Sequence, residues 1–252
     1  MAWTINNGKL YFNTNLYTGD GSTSRSITGV GFQPDLLWVK SRSATYYHGL
    51  WDAVRTNKSA LYSNVANAED TSTGGTLGSL DSDGFTTQNV SGGFINNNGT
   101  TYASWNWKAG TSFTNDASAT GIGTIDSTGS ASDTAGFSIV SYTGTGSAGT
   151  IKHGLSTAPS MIITKDRGNA EHWSCYNKNL PAGYNIYLNL TNAQDDNDTV
   201  YTTTAPTSSV YSIGTNNRTN GSGRDYIAYC FADVQGFSKF GSYTGNGNAN
   251  GT

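Results

Sequence analysis

The residues that could do chemistry are few, and their spacing excludes most of what they might do. Tyr46, His48, Trp51 and Asp52 lie within seven positions. Aromatic faces with an imidazole and a carboxylate are the groups that stack on and hydrogen-bond a sugar ring, so these four are the candidate glycan-binding residues. The competing reading places Tyr47 and Trp51 in the core. Glycoside hydrolysis needs two carboxyl groups held at a set separation. The only glutamates, Glu69 and Glu171, sit in polar stretches far apart in the chain. Asp81 and Asp83 flank a turn, where aspartate commonly bonds its own backbone. No G-x-S-x-G elbow occurs, and His48, His153 and His172 stand in unrelated contexts. The sequence therefore points away from an enzyme and offers no catalytic residue.

Metal and cofactor signals are equally thin. Asp195-Asp196-Asn197-Asp198 could supply oxygen ligands to Ca²⁺, but reads better as a solvated loop. Gly144-Thr145-Gly146-Ser147-Ala148-Gly149 matches G-x-G-x-x-G. That fingerprint needs a helix directly after it to meet the pyrophosphate. Thr150-Ile151-Lys152-His153-Gly154 has no helical pattern, so the match reads as a hairpin turn. Cys175 and Cys230 are too few for a disulfide framework or a cysteine metal site, and read as small buried hydrophobes. No cofactor and no metal is expected.

The elements that position these residues are stated twice. Pro34-Asp35-Leu36-Leu37-Trp38-Val39-Lys40-Ser41-Arg42 returns 125 residues on as Pro159-Ser160-Met161-Ile162-Ile163-Thr164-Lys165-Asp166-Arg167. Phe12/Phe137, Tyr17/Tyr142, Thr18/Thr143, Gly19/Gly144, Gly21/Gly146 and Gly29/Gly154 keep the same offset. The chain is an internal duplication, which sets how everything else is read. Each apolar run follows a proline, which suits only the first position of a strand. Short length, flanking Gly and Pro, and Trp, Val and Ile content favour strand over buried helix.

Other segments repeat in order. Leu80 to Thr86 reads as turn and strand, matched by Ser209 to Ile213. Asn96-Asn97-Asn98-Gly99 is a hairpin signal before Thr101 to Lys108, where Ala103, Trp105 and Trp107 share one face at period two. Asn220-Gly221 stands likewise before Tyr226 to Phe231. Trp105 and Trp107, with Ile227, Tyr229 and Phe231 as counterparts, are expected in the core. No amphipathic helix of normal length occurs. The expected fold is all-β: two tandem antiparallel β-sandwiches of jelly-roll type. The boundaries are repeat 1 over 1–109, a Gly/Ser/Thr-rich linker over 110–133, and repeat 2 over 134–241. Residues 242–252 restate Ser141 to Gly146 as Ser242 to Gly247. They either close the sheet of repeat 2 or begin a third repeat that pairs with a neighbour.

Composition supports this. The 252 residues include 32 Gly, 15 Tyr, 9 Phe and 6 Trp, and the aromatics argue against disorder. With 12% charged residues and a net charge of −3, nothing is basic enough for nucleic acid or for an anionic membrane surface. No apolar run is long enough to cross a membrane as a helix. Met1 to Asn7 lacks the pattern of a signal peptide, so export by that route is not expected. Asn57, Asn89, Asn98 and Asn189 head Asn-x-Ser/Thr triplets, which without export report only composition.

GVGFQPDLLWVKSR, HGLWDAVR, SDGFT and NGTTYASWNWKAG in the first copy resemble an uncharacterised tandem repeat of marine tailed-bacteriophage virion proteins. HGLSTAPSMIITKDR and YIAYCFADVQGFSKFGSYTGNG in the second are similar to its sister repeat. The resemblance covers nearly the whole chain. It implies a concanavalin-like β-sandwich in a tail fibre, tail appendage or capsid decoration, localised to the virion after synthesis in the host cytoplasm. Other virion proteins and further copies of the chain are the implied partners. A carbohydrate-binding adhesin recognising host-surface glycans is the alternative. A lectin-like glycoside hydrolase lacks its carboxylates.

Overall fold

The computed structural model describes residues 7–55, 59–71, 77–88 and 93–249. Asn57, Asn89, the first six residues and residues 72–76 of the polar loop before Leu77 lie outside them. The protein is all-β, built from antiparallel sheets. Its helical pieces are single turns: a 3₁₀ turn at Gly8–Leu10, α1 (Ala117–Thr120) and α2 (Asn217–Asn220). No helix among the described residues is long and apolar enough to cross a membrane.

The first half contains β1 (Phe12–Thr18), β2 (Ser24–Thr28), β3 (Leu36–Ser41), β4 (Gly49–Asp52), β5 (Leu61–Tyr62), β6 (Leu77–Asp81), β7 (Gly84–Gln88) and β8 (Thr101–Trp107). They form a five-stranded sheet ordered β1-β8-β3-β4-β5 and a three-stranded sheet ordered β2-β7-β6. Leu37, Val39, Trp51, Phe85 and Tyr102 fill the space between the two sheets. The proline-led runs become strands as expected, since Leu36 and Met161 open theirs two residues after the proline.

The second half contains β9 (Thr111–Asn115), β10 (Ser127–Ser132), β11 (Phe137–Thr143), β12 (Gly149–Lys152), β13 (Met161–Asp166), β14 (Ser174–Asn177), β15 (Tyr184–Tyr187), β16 (Asp195–Asp196), β17 (Val210–Ile213) and β18 (Asp225–Phe231). An eight-stranded sheet runs β16-β15-β14-β13-β18-β11-β10-β9, and β12 pairs with β17. Its inner stretch, β11-β18-β13-β14-β15, restates β1-β8-β3-β4-β5 strand for strand. The registers agree too: Phe12 faces Trp107 and Leu36 faces Trp107, as Phe137 and Met161 both face Phe231.

Three expectations need correction. Residues 110–133 are not a linker, because β9 and β10 extend the large sheet. The Gly/Ser/Thr bias hid one apolar anchor: the Phe113 ring lies over Gly129, 2.8 Å from where a Cβ would stand. Asn96 to Gly99 does not close a hairpin, since the strands on either side belong to different sheets. The chain there crosses from one layer to the other. Finally, Ala103, Trp105 and Trp107 do not face the core of their own half. Tyr102, Ser104 and Asn106 do, and Trp105 and Trp107 are half-buried.

That outward face meets the other half. Leu36, Leu50 and Leu61 pack on Phe137, Ile139, Ile163, Trp173, Ile227 and Tyr229, so the two large sheets lie face to face. Polar bonds cross the seam as well. The Trp173 indole N–H donates to the Tyr62 carbonyl at 2.9 Å, and the Tyr229 hydroxyl donates to Asp52 at 2.8 Å. Arg167 pairs with Glu69 at 2.7 Å, and Glu69 reaches Arg55 at 3.3 Å.

His153 is fully buried between Thr207 and Leu155. Its Nε2 lies 3.1 Å from the Thr207 carbonyl, and its Nδ1 accepts the Leu155 N–H at 3.2 Å. Both contacts suit the neutral ring. Burial lowers its pKa to about 4, against about 6.5 in an unfolded chain. The unfolded state thus binds the proton first. Stability contributed by neutral His153 is complete above pH 6.5 and is lost as pH falls towards 4, by up to about 3 kcal/mol. Urea unfolding at pH 7 and pH 4.5 should show a smaller acid loss in His153→Gln than in the native chain.

Candidate functional site

The quartet suggested for glycan binding is split by strand alternation. Tyr46 and Tyr47 are on the surface, 37% and 44% exposed. Tyr47 stacks on Tyr62 at 4.5 Å. His48 is half-buried, its backbone N–H held by Asn64 at 2.9 Å. Burial, and then the charge of Lys40, lowers its pKa. Trp51 points inward, 1% exposed, stacked on Phe94 at 6.2 Å. It lies over Gly49, where a Cβ would come within 2.3 Å of the ring. Asp52 points the opposite way into the seam, bound to Arg55 Nε at 2.7 Å and to Tyr229. Only Tyr46 and His48 of the four can therefore meet a ligand.

The other suggested groups are engaged in holding the fold. Asp83 accepts the N–H groups of Gly29 and Gly31 at 3.1 and 2.6 Å, which lower its pKa. Asp81 accepts hydroxyls from Ser79 and Thr86, each at 2.6 Å. Asp195 and Asp196 form a strand paired to β15 rather than a solvated loop. Asp195 takes the Tyr187 hydroxyl at 2.7 Å, the main cause of its lowered pKa, with Arg218 beside it. Among the described residues no three His, Cys, Asp or Glu side chains converge on a metal position. Gly144 to Gly149 leads into β12 without a helix. Cys175 and Cys230 are buried and unpaired, and burial pushes both thiols up to about 12.

What the fold does assemble is an aromatic groove at the open end of the seam, about 400 Å³ in volume. Phe12, Trp38 and Trp107 supply one wall, and Phe137, Met161 and Phe231 supply the other. The rings form a continuous chain. Phe12 and Trp107 are 4.9 Å apart, Trp107 and Phe231 are 6.2 Å apart, and Phe137 and Phe231 are 5.0 Å apart. Phe237 and Phe240, just after β18, close the rim. The groove continues onto the uncovered part of the five-stranded sheet, where Trp38 meets Trp105 at 6.1 Å and Leu16 is 62% exposed. Among the described residues no ionisable side chain lines it. It can hold an apolar or aromatic group, but it has nothing with which to move a proton.

Sequence reasoning missed this groove because it assigned the Trp105 and Trp107 face to an internal core. A usable signal was present. Strands that carry buried residues on both faces lie between two layers rather than at a surface, and β18 is nearly continuous in apolar residues from Tyr226 to Phe231. No curated protein and no solved structure matches the chain. A family model described as a domain of unknown function (DUF7483) matches residues 7–252, through both halves, and the chain belongs to that family.

Proposed function

We propose that the protein is a bacteriophage virion structural protein, a tail appendage or fibre or a capsid decoration. In this reading its two tandem β-sandwich copies, of a concanavalin-like jelly-roll kind, assemble with other virion proteins and with further copies of the chain. The observation that carries the reading is the aromatic groove. It is built jointly by both halves, is open to the surface and, among the described residues, is lined without an ionisable group, as suits adhesion between proteins rather than catalysis. The resemblance of both copies to a virion repeat points the same way. Mass spectrometry and immunogold labelling of purified phage particles should find the protein at a fixed stoichiometry on one virion part. Its absence from washed particles would discard the reading.

A second reading, a carbohydrate-binding adhesin recognising host-surface glycans, is favoured by one specific feature. Tyr46 and Tyr47 are exposed side by side next to His48, an aromatic patch on which a sugar could stack. A glycan array that responds to the native chain and not to Tyr46→Ala would favour it.

A further inference from the structure

The duplication holds at the level of single hydrogen bonds. The Tyr62 hydroxyl donates to Asp70 at 2.7 Å, and the Tyr187 hydroxyl, 125 residues on, donates to Asp195 at 2.7 Å. Gly19 and Gly144 give their N–H groups to the carbonyls of Thr100 and Arg224 at 2.7 and 2.8 Å. Positions at the ends of β3 and β13 therefore correspond one to one.

In the second half the charges at that end balance. Lys165, Arg167 and Arg224 stand among three carboxylates. Arg224 meets Asp166 at 3.1 Å and Glu171 at 3.2 Å, and Arg167 meets Glu69 of the first half at 2.7 Å. Lys165 is fully buried, its ammonium bonded to the carbonyls of Asp166 and Asn169 at 2.6 and 3.0 Å.

The first half keeps two of the cations and none of the carboxylates. Lys40 and Arg42 stand where Lys165 and Arg167 do, and Thr100 replaces Arg224. Ser41 replaces Asp166, Tyr46 replaces Glu171, and the exposed Gln194 replaces Glu69. Lys40 is half-buried, and its ammonium bonds the Ser41 carbonyl at 3.0 Å. Arg42 is exposed, and its backbone N–H continues the ladder to the Thr101 carbonyl at 2.7 Å. Two positions apart, both cations lie on one face. Val39 faces Gly49, so Lys40 lies across from His48. Among the described residues no carboxylate lies within ion-pairing distance of Lys40 or Arg42.

We propose that this end of the first half, with Lys40, Arg42, Tyr46 and His48, binds a carboxylated sugar, a uronic or sialic acid unit of an acidic glycan. The sugar carboxylate takes the place that Asp166 and Glu171 fill in the other copy. An arginine fork suits a carboxylate through two parallel hydrogen bonds. Tyr46, 37% exposed, offers its ring to the sugar face beside that charge. An acidic peptide would bring the charge but no flat ring for Tyr46 and Tyr47. The inference rests on the adhesin reading and adds the charge of the ligand and its seat.

A glycan array read with the full chain should respond to uronic- and sialic-acid glycans and not to neutral ones. Methyl esterification of the carboxyl groups should abolish the response. Arg42→Gln should lower it at least tenfold, and Arg42→Lys should restore part of it. Tyr46→Glu returns the second half's carboxylate to its place and should abolish binding, while Tyr46→Phe should keep it. Both positions are exposed, so these variants should melt at the native temperature. A response confined to neutral or to sulfated glycans would leave the adhesin reading standing and overturn this one. Indifference to Arg42→Gln or to Tyr46→Glu, or binding of hexa-aspartate in preference to every acidic glycan, would also overturn it. Silence across the whole array would overturn both.

Discussion

Arg55→Ala should cost about 3–5 kcal/mol of stability, the cost of stripping the partner from a buried charge. Arg55 is 4% exposed and its guanidinium answers Asp52, Glu69 and the carbonyls of Leu50 and Ser59. Burial alone would lower its pKa. Asp52 and, less strongly, Tyr229 and Glu69 outweigh it, so its pKa stands above the ordinary value. Removing it leaves two carboxylates facing each other in the seam with Arg167 as the remaining cation. The triple change Asp52→Asn, Arg55→Met, Glu69→Gln removes charge from all three groups. It should recover much of the loss, because none of the three positions then holds a buried charge without its partner. Guanidinium unfolding of the two variants decides this. An Arg55→Ala change worth less than about 1 kcal/mol would mean that water reaches the network.

Trp173→Ala should be comparably damaging, at about 3–5 kcal/mol for truncation of a buried tryptophan. Trp173 has no exposed surface, stacks on Tyr229 at 6.5 Å and gives its N–H to the Tyr62 carbonyl in the opposite half. Its loss opens a cavity in the seam and orphans a carbonyl. The halves have separate inner cores, so the variant should also unfold in two steps where the native chain unfolds in one. Calorimetry reads both effects. Trp107→Ala, half-exposed at the groove, should cost clearly less.

The sequence reveals the strands well and the layers poorly. A 125-residue offset anchored by Pro34 and Pro159 finds β3 and β13 and, through Tyr17 and Tyr142, β1 and β11. Periodicity says that Trp105 and Trp107 share a face, but not which body lies against it. That depends on a second sheet whose strands are distant in the chain. The same gap explains the quartet at Tyr46 to Asp52. Alternation requires Trp51 and Asp52 to diverge, yet nothing local shows that both directions lead into packed interiors. The strands within 110–133 were hidden for another reason. Small residues pair as readily as large ones when a neighbouring sheet edge offers its backbone.

Each half turns the same wall to the other, β3, β4, β5 and β8 against β13, β14, β15 and β18. This resembles the isologous contact of a two-fold dimer, here enclosed in one polypeptide. In a dimer of identical chains every substitution at such a wall is made twice, and both copies must tolerate it. Fusion lifts that constraint. Asp52 corresponds to Asn177 and Tyr229 to Trp105, so a symmetric ancestor could not have carried both members of the Asp52–Tyr229 bond without also carrying their mirror pair. Within one polypeptide the two corresponding walls need not be alike, and at Asp52 and Tyr229 they are not.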